Sequence, residues 1–214
     1  MKIGVLGTGS VGQMVAGSLA SKGHEVRMGA REKGNEKAGA WARAAGGKAS
    51  HGTFSDAAAF GEIVFNCTSG AASLAALQTA GADNLAGKVL VDVANPLDFS
   101  KGMPPILTTA QGDSLAEQIQ HAFPKARVVK ALNTVNFNVM FHPEKVPGDS
   151  DLFVCGNDAE AKKRVAALLQ SFGWKSVIDV GDVSAARGLE AYLLLWMRLM
   201  GVIGKPEFNI RVVR

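Results

Sequence analysis

Thiols and imidazoles are scarce: the 214 residues contain two cysteines and four histidines. Cys67 and Cys155 lie far apart and form no C-x-x-C, and His24, His51, His121 and His142 are isolated. No metal-ligand spacing is present. Two separated thiols near predicted strand ends fit a reducing compartment and a cytoplasmic protein. Charge of one sign is also lacking, since the net charge is only +4 and no basic run is interleaved with aromatics. Nucleic acid is therefore not an expected partner, whereas a polyanionic cofactor or acidic co-substrate suits the mild positive balance. Long apolar runs are absent too. Tyr192–Ile203 is apolar but short and broken by Arg198, so no membrane segment is expected. Glycines interrupt the start of the chain too early for a signal peptide.

What the sequence does have is concentrated in its first thirty residues. Lys2–Leu6 reads as a short buried parallel strand. It breaks into Gly7-Thr8-Gly9-Ser10-Val11-Gly12, a G-x-G-x-x-G, and an amphipathic helix follows to about Ser21. Val11, Met14, Val15 and Leu19 form its expected sheet-facing stripe, and Gly23 is its natural left-handed cap. Glu25–Gly29 then gives a second strand. Alone the glycine pattern is weak, but between a strand and a helix it describes a dinucleotide cradle. Gly7 makes the turn, Gly9 lets backbone approach a pyrophosphate, and Gly12 allows close helix–strand packing. The helix N-terminus adds free N–H groups and the positive end of a dipole.

The second strand also lacks the acidic residue that would hold the ribose 2′-hydroxyl of NAD. Gly29-Ala30-Arg31 stands there, and a guanidinium matches a phosphate in bidentate fashion. Arg31 therefore points to NADP(H), with Lys33 and Lys37 as candidate helpers.

Strands and helices alternate through the remainder, which predicts an α/β fold of Rossmann type, a doubly wound and mostly parallel sheet. Helices are expected over 35–45, 55–60, 71–80, 114–122, 158–172 and 185–202, with Ser55 capping the second. Strands are expected over 48–51, 62–67, 87–92, 126–131, 152–156 and 176–179, with a loop over 98–112. Residues 1–150 form the NADP-binding unit in this reading. Residues 151–214 form an extension that completes the sheet and covers the acceptor site.

Ligands of open α/β sheets lie beyond the carboxyl ends of the strands. Three turns arrive there: Thr68-Ser69-Gly70, Ala94-Asn95-Pro96 and Leu132-Asn133-Thr134, the last preceded by Ala131 at the strand end, which also counts among the candidate cofactor residues. They offer small polar groups but no paired acid and base, Asp92 and Lys130 standing alone. Ketone reduction generally needs a placed proton donor. Hydride transfer between stacked rings needs mainly positioning.

These segments, with Val154–Asp158 and the tail from Arg187 through Gly204–Ile210, resemble the NADPH-dependent deazaflavin (coenzyme F420) reductases. The oxidoreductase domain of the STEAP metalloreductases is a relative. The resemblance implies that Thr8, Ser10, Val11 and Arg31 hold NADP, with Ala30 lining the 2′-phosphate pocket. It places Asn133 and Val135 beside the nicotinamide and Phe208 where the tail closes over a second ring. The expected activity is hydride transfer between NADP(H) and a deazaflavin, FMN or FAD, the small-molecule redox acceptor being left open. An imine or 2-hydroxyacid reductase and a non-catalytic NADP(H) sensor are the alternatives. Leu193, Leu194, Trp196, Met197 and Met200 form an apolar helix face that serves either a homodimer or internal packing.

Arg31→Ala is expected to weaken NADPH binding by about 2–3 kcal/mol, the size of a charge-assisted pair, and NADH binding far less. Titration of both nucleotides checks this; equal losses would show that Arg31 does not read the phosphate.

Overall fold

In the computed structural model, which describes residues 1–213, the apolar runs of the first half become parallel strands. Strand β1 (Lys2–Leu6) leads through α1 (Ser10–Ser21) to β2 (Glu25–Ala30). Helix α2 (Glu36–Ala45), β3 (Ala49–Thr53) and α3 (Phe54–Phe60) follow, then β4 (Ile63–Asn66) and α4 (Gly70–Ala80). A four-residue helix α5 (Ala82–Leu85) precedes β5 (Val89–Asp92). Next come two short strands, β6 (Leu97–Asp98) and β7 (Ile106–Leu107), then α6 (Leu115–Ala122) and β8 (Arg127–Ala131). The chain closes with β9 (Asp151–Cys155), α7 (Ala159–Gln170), β10 (Ser176–Asp179) and α8 (Ala186–Ile203).

Eight strands form one sheet in the order β10-β9-β8-β5-β4-β1-β2-β3. From β3 to β8 every neighbour is parallel, so the carboxyl ends of β1, β2, β4, β5 and β8 open on one edge. β9 pairs antiparallel with β8, with Lys130 opposite Cys155, and β10 runs parallel to β9. Both faces are covered. Ile3, Val5, Phe65, Val91 and Val129 pack under α1 and α7, while Leu6, Val64, Leu90 and Val128 pack under α3, α4 and α6. Strands buried on both faces read as continuous apolar runs, which made β1, β4 and β5 plain in the sequence.

Several details differ from expectation. Ser55 does not cap α3. Thr53 does, in a capping box where its hydroxyl takes the Asp56 N–H and Asp56 takes the Thr53 N–H. The cap therefore lies two residues earlier, and the third strand runs on to it rather than ending at His51. In α1 only Val15 and Leu19 of the expected stripe are buried; Val11 and Met14 are half-buried because the helix tilts Gly12, Ala16 and Ser18 onto the sheet instead. The loop over 98–112 is bracketed by a hairpin, Leu97 facing Leu107 and Asp98 facing Ile106. Two-residue strands carry too little periodicity to be seen in sequence.

The long connection from β8 to β9 is anchored by Phe141. Its ring meets Phe172 edge-on at 4.7 Å and Phe65 of the sheet at 6.4 Å. Nearby, the Trp174 indole donates to the Met140 carbonyl at 2.9 Å. Phe141→Ala should cost about 3–5 kcal/mol, the usual range for emptying a packed aromatic site. A urea midpoint unchanged from wild type would show that this connection is not part of the core.

Candidate functional site

At the carboxyl edge of the sheet the chain leaves helix donors unused. α2, α3, α6 and α7 are capped by the side chains of Asn35, Thr53, Ser114 and Asp158. α1 and α4 begin at Gly9 and Ser69 with no side-chain cap and no acidic residue in the first turn. Helix N-termini without such partners are suited to anions. A Cβ on Gly9 would meet nothing within 4 Å, so Gly9 keeps open space that the protein itself does not need. At Gly12, by contrast, a Cβ would stand 2.1 Å from the Gly7 carbonyl oxygen. Gly7 has φ +122, which L side chains rarely adopt.

Two clefts flank these N-termini. The first, of about 670 Å³, takes Gly7, Thr8, Gly9, Ala30, Arg31, Thr68 and Ser69 from the predicted set. Sequence reasoning missed Phe54, at the start of α3, and Thr79, on α4. The second, of about 380 Å³, is lined by Val11, Ala94, Asn95, Asn133 and Val135 of that set, together with Phe99, Phe137, Leu193 and Trp196. Cys67, Thr68 and Ser69 line both, so the clefts meet end to end.

The remaining predicted residues stand elsewhere. Lys33 and Lys37 are exposed and form no part of either wall. Ser10 faces a groove on the outer side of α1 with Gln13. Gly12, Pro96, Ala131 and Thr134 are buried behind the turns. Phe208 is also behind the wall, its ring stacked on Trp196 at 5.2 Å and 15°. Trp196, not Phe208, reaches the cleft. Part of the apolar surface of α8 is spent inside the protomer, where Leu193, Trp196 and Phe208 cluster with partly buried Tyr192, Met197 and Met200, while Leu195, Val202 and Ile203 of the same helix stay exposed.

Asp92 and Lys130, read as solitary, are in fact paired. The Lys130 ammonium lies 2.7 Å from Asp92 Oδ2 and 2.9 Å from Glu190 Oε1, all three essentially without solvent exposure. It also donates to the Ala94 carbonyl. Burial works against the Lys130 charge, but Asp92 and Glu190 outweigh it and hold the ammonium above its ordinary range. Burial pushes the Glu190 carboxyl up, against the pull of Lys130. The missing partner sits on α8, 60 residues beyond Lys130, where nothing local signals it.

The turns themselves are tightly held. Asn66 Oδ1 accepts the Thr68 hydroxyl at 2.7 Å, and Asn66 Nδ2 donates to Asp92 at 2.8 Å. Asn133 Nδ2 donates to Asn95 Oδ1 and to the Leu189 carbonyl, both at 3.0 Å. Leu132 precedes it with φ 65, an uncommon conformation for a branched residue and the one backbone strain among the non-glycine described residues. Asn133 Oδ1 and Trp196 Nε1 are buried without a hydrogen-bond partner, and both residues line the second cleft. Unmet buried polar atoms are costly, so a ligand is their natural complement. Burial pushes both cysteine thiols up, Cys155 to about 12, which removes thiolate chemistry.

The sheet order, the uncapped N-termini and the glycine cradle define a dinucleotide-binding protein of Rossmann type. Residues 2–96 match the family described as NADP oxidoreductase, coenzyme F420-dependent. A solved structure from Arthrobacter sp. FB24, named as a candidate F420-dependent NADP reductase, is 51% identical, with each chain covered in full and a TM-score of 0.94. The F420-dependent NADP reductase of Methanocaldococcus jannaschii is 34% identical over 110 residues, 51% of this chain and 49% of that protein. The rat metalloreductase STEAP3 is 30% identical over 194 residues, 89% of this chain but 36% of that protein. The chain thus spans about a third to a half of the curated relatives it matches. It belongs to the coenzyme F420-dependent NADP oxidoreductase family. No helix of the described residues is long and apolar enough to cross a membrane.

The two glycines should separate under substitution. Gly12→Ala forces backbone apart and should lower the thermal midpoint by several degrees, as an overpacked core of about 1–3 kcal/mol does. Gly9→Ala should melt with wild type yet bind NADPH at least about tenfold more weakly, because its methyl occupies the space of the phosphates. Differential scanning fluorimetry with and without NADPH separates the two effects.

Proposed function

We propose that this protein transfers a hydride between NADP(H) and a planar ring acceptor of the deazaflavin or flavin type. The observation that carries the reading is the pair of clefts that meet at Cys67-Thr68-Ser69. One is built from phosphate-binding parts, the other from apolar and amide groups.

In this reading the uncapped N-termini of α1 and α4 hold the diphosphate, and Arg31 holds the 2′-phosphate at the carboxyl end of β2. Ala30 lines the pocket beneath it. Asn95, Asn133 and Val135 orient the nicotinamide, Asn133 Oδ1 being free to accept from its carboxamide. When bound, NADPH supplies a hydride to the acceptor ring, and solvent supplies the accompanying proton. Trp196, backed by Phe208, and Leu193 close the far side of the second cleft and exclude water. Residues 151–214 in this way cover the acceptor, while 1–150 carry NADP.

The second cleft presents no ionisable side chain besides Cys67, whose thiol stays protonated. That favours ring-to-ring transfer over imine or 2-hydroxyacid reduction, where a proton donor must sit at the reacting centre. The same architecture also fits a sensor that binds NADPH without turning it over.

The test is oxidation of NADPH, followed by absorbance, with coenzyme F420, FMN, FAD and a ferric chelate offered in turn. Rapid turnover with one ring acceptor is the expected result. Tight NADPH binding with no turnover on any of the four would leave the sensor reading standing instead.

A further inference from the structure

We propose that Glu190 and Lys130 are positioning residues: one buried ion cluster sets the three turns that form the nicotinamide end of the clefts. The proposal rests on the two-cleft reading above. Neither side chain lines a cleft, so both act through neighbours. Lys130 binds Asp92 and the Ala94 carbonyl, which fixes the second turn. Asp92 accepts from Asn66, and Asn66 accepts both the N–H and the hydroxyl of Thr68, which fixes the first. The third turn is reached through the backbone, because Asn133 donates to the carbonyl of Leu189, the residue before Glu190.

Glu190 is what locks that stretch of α8 in place. Its carboxylate takes the N–H of Leu115 at 3.0 Å and of Ala116 at 3.2 Å, at the start of α6, as well as the Lys130 ammonium. One carboxyl therefore ties α8 to α6 and β8, while the adjacent carbonyl ties α8 to Asn133. An apolar trio of similar volume is often as stable as a buried ion cluster. What the cluster adds is a single arrangement in which every donor and acceptor is met. Contact between two rings needs such fixity, since a misplacement of about 1 Å costs on the order of 100-fold in rate.

Glu190→Gln tests this with the fold kept. Glutamine preserves the shape and one carbonyl acceptor and leaves Lys130 matched to Asp92, but its amide N–H₂ replaces an oxygen that accepted from α6 or from Lys130. The thermal midpoint should fall by several degrees, because the buried ammonium loses one of its two carboxylates, while affinity for adenosine 2′,5′-bisphosphate, which occupies only the adenosine end, should stay within about twofold of wild type. The fluorescence enhancement of bound NADPH, which reports nicotinamide immobilisation, should fall by about half, and kcat by about tenfold with KM little changed. Glu190→Ala should push both nicotinamide readouts further in the same direction. Unchanged fluorescence in both variants, or equal losses at the adenosine and nicotinamide ends, would overturn the proposal. If wild type enhances NADPH fluorescence but oxidises it with no acceptor, hydride transfer fails as a reading. The fluorescence comparison would still decide the positioning role.

Discussion

A lysine ammonium without solvent exposure is the constraint on which this architecture turns. Removing such a charge from water costs several kcal/mol even after relaxation, and the cost is recovered only when its partners are in place. For Lys130 those partners are Asp92 on β5, Glu190 on α8 and the Ala94 carbonyl. Together with Lys130 on β8 they join three separated parts of the chain. A sheet assembled without α8 leaves the ammonium with one carboxylate fewer and the α6 N-terminus without its two bonds to Glu190. Docking of the last helix is thereby coupled to the order of the strands, rather than added to a finished domain.

The same trade of stability against use governs the helix starts. Side-chain caps contribute about 1 kcal/mol each, and four helices take them. α1 and α4 forgo them at the edge where the clefts meet. Leu132, held at φ 65, adds strain at the residue before Asn133. Forgone caps, an unpaired Asn133 oxygen and a strained backbone converge on one edge of one sheet. Local rules broken together in one place are the mark of a functional edge.

What could be read from the sequence follows the range of the forces involved. The glycine turn, its two strands and Arg31 lie within thirty residues, and their geometry is set by local sterics and helix dipoles. The Lys130–Glu190 pair spans 60 residues and leaves no periodic trace, so Lys130 reads as solitary until the chain is folded. Trp196 belongs to the same class. Its helix shows an apolar face, and apolarity alone does not say whether that face meets another subunit or the protein's own tail. Phe208, stacked on it, decides the matter for this side chain. The antiparallel turn at β9 is equally silent, since a buried strand has the same composition in either direction.

The two clefts also differ in how far along the chain their walls are drawn. The first is built only from residues between Gly7 and Thr79, so one βαβ unit and its neighbours supply its whole wall. The second draws from Val11 through Trp196, taking a hairpin residue, the turn after β8 and the last helix. A pocket assembled from distant segments changes when any one of them shifts, whereas a local cradle is protected by its own backbone. Substitutions in Phe99, Phe137 or Trp196 touch the second cleft and leave Arg31 and the Gly7–Gly9 cradle of the first as they are. The buried ion cluster lies where the two halves must agree, because Thr68 at the shared wall and Asn133 at the far one are tied to it through the same few bonds.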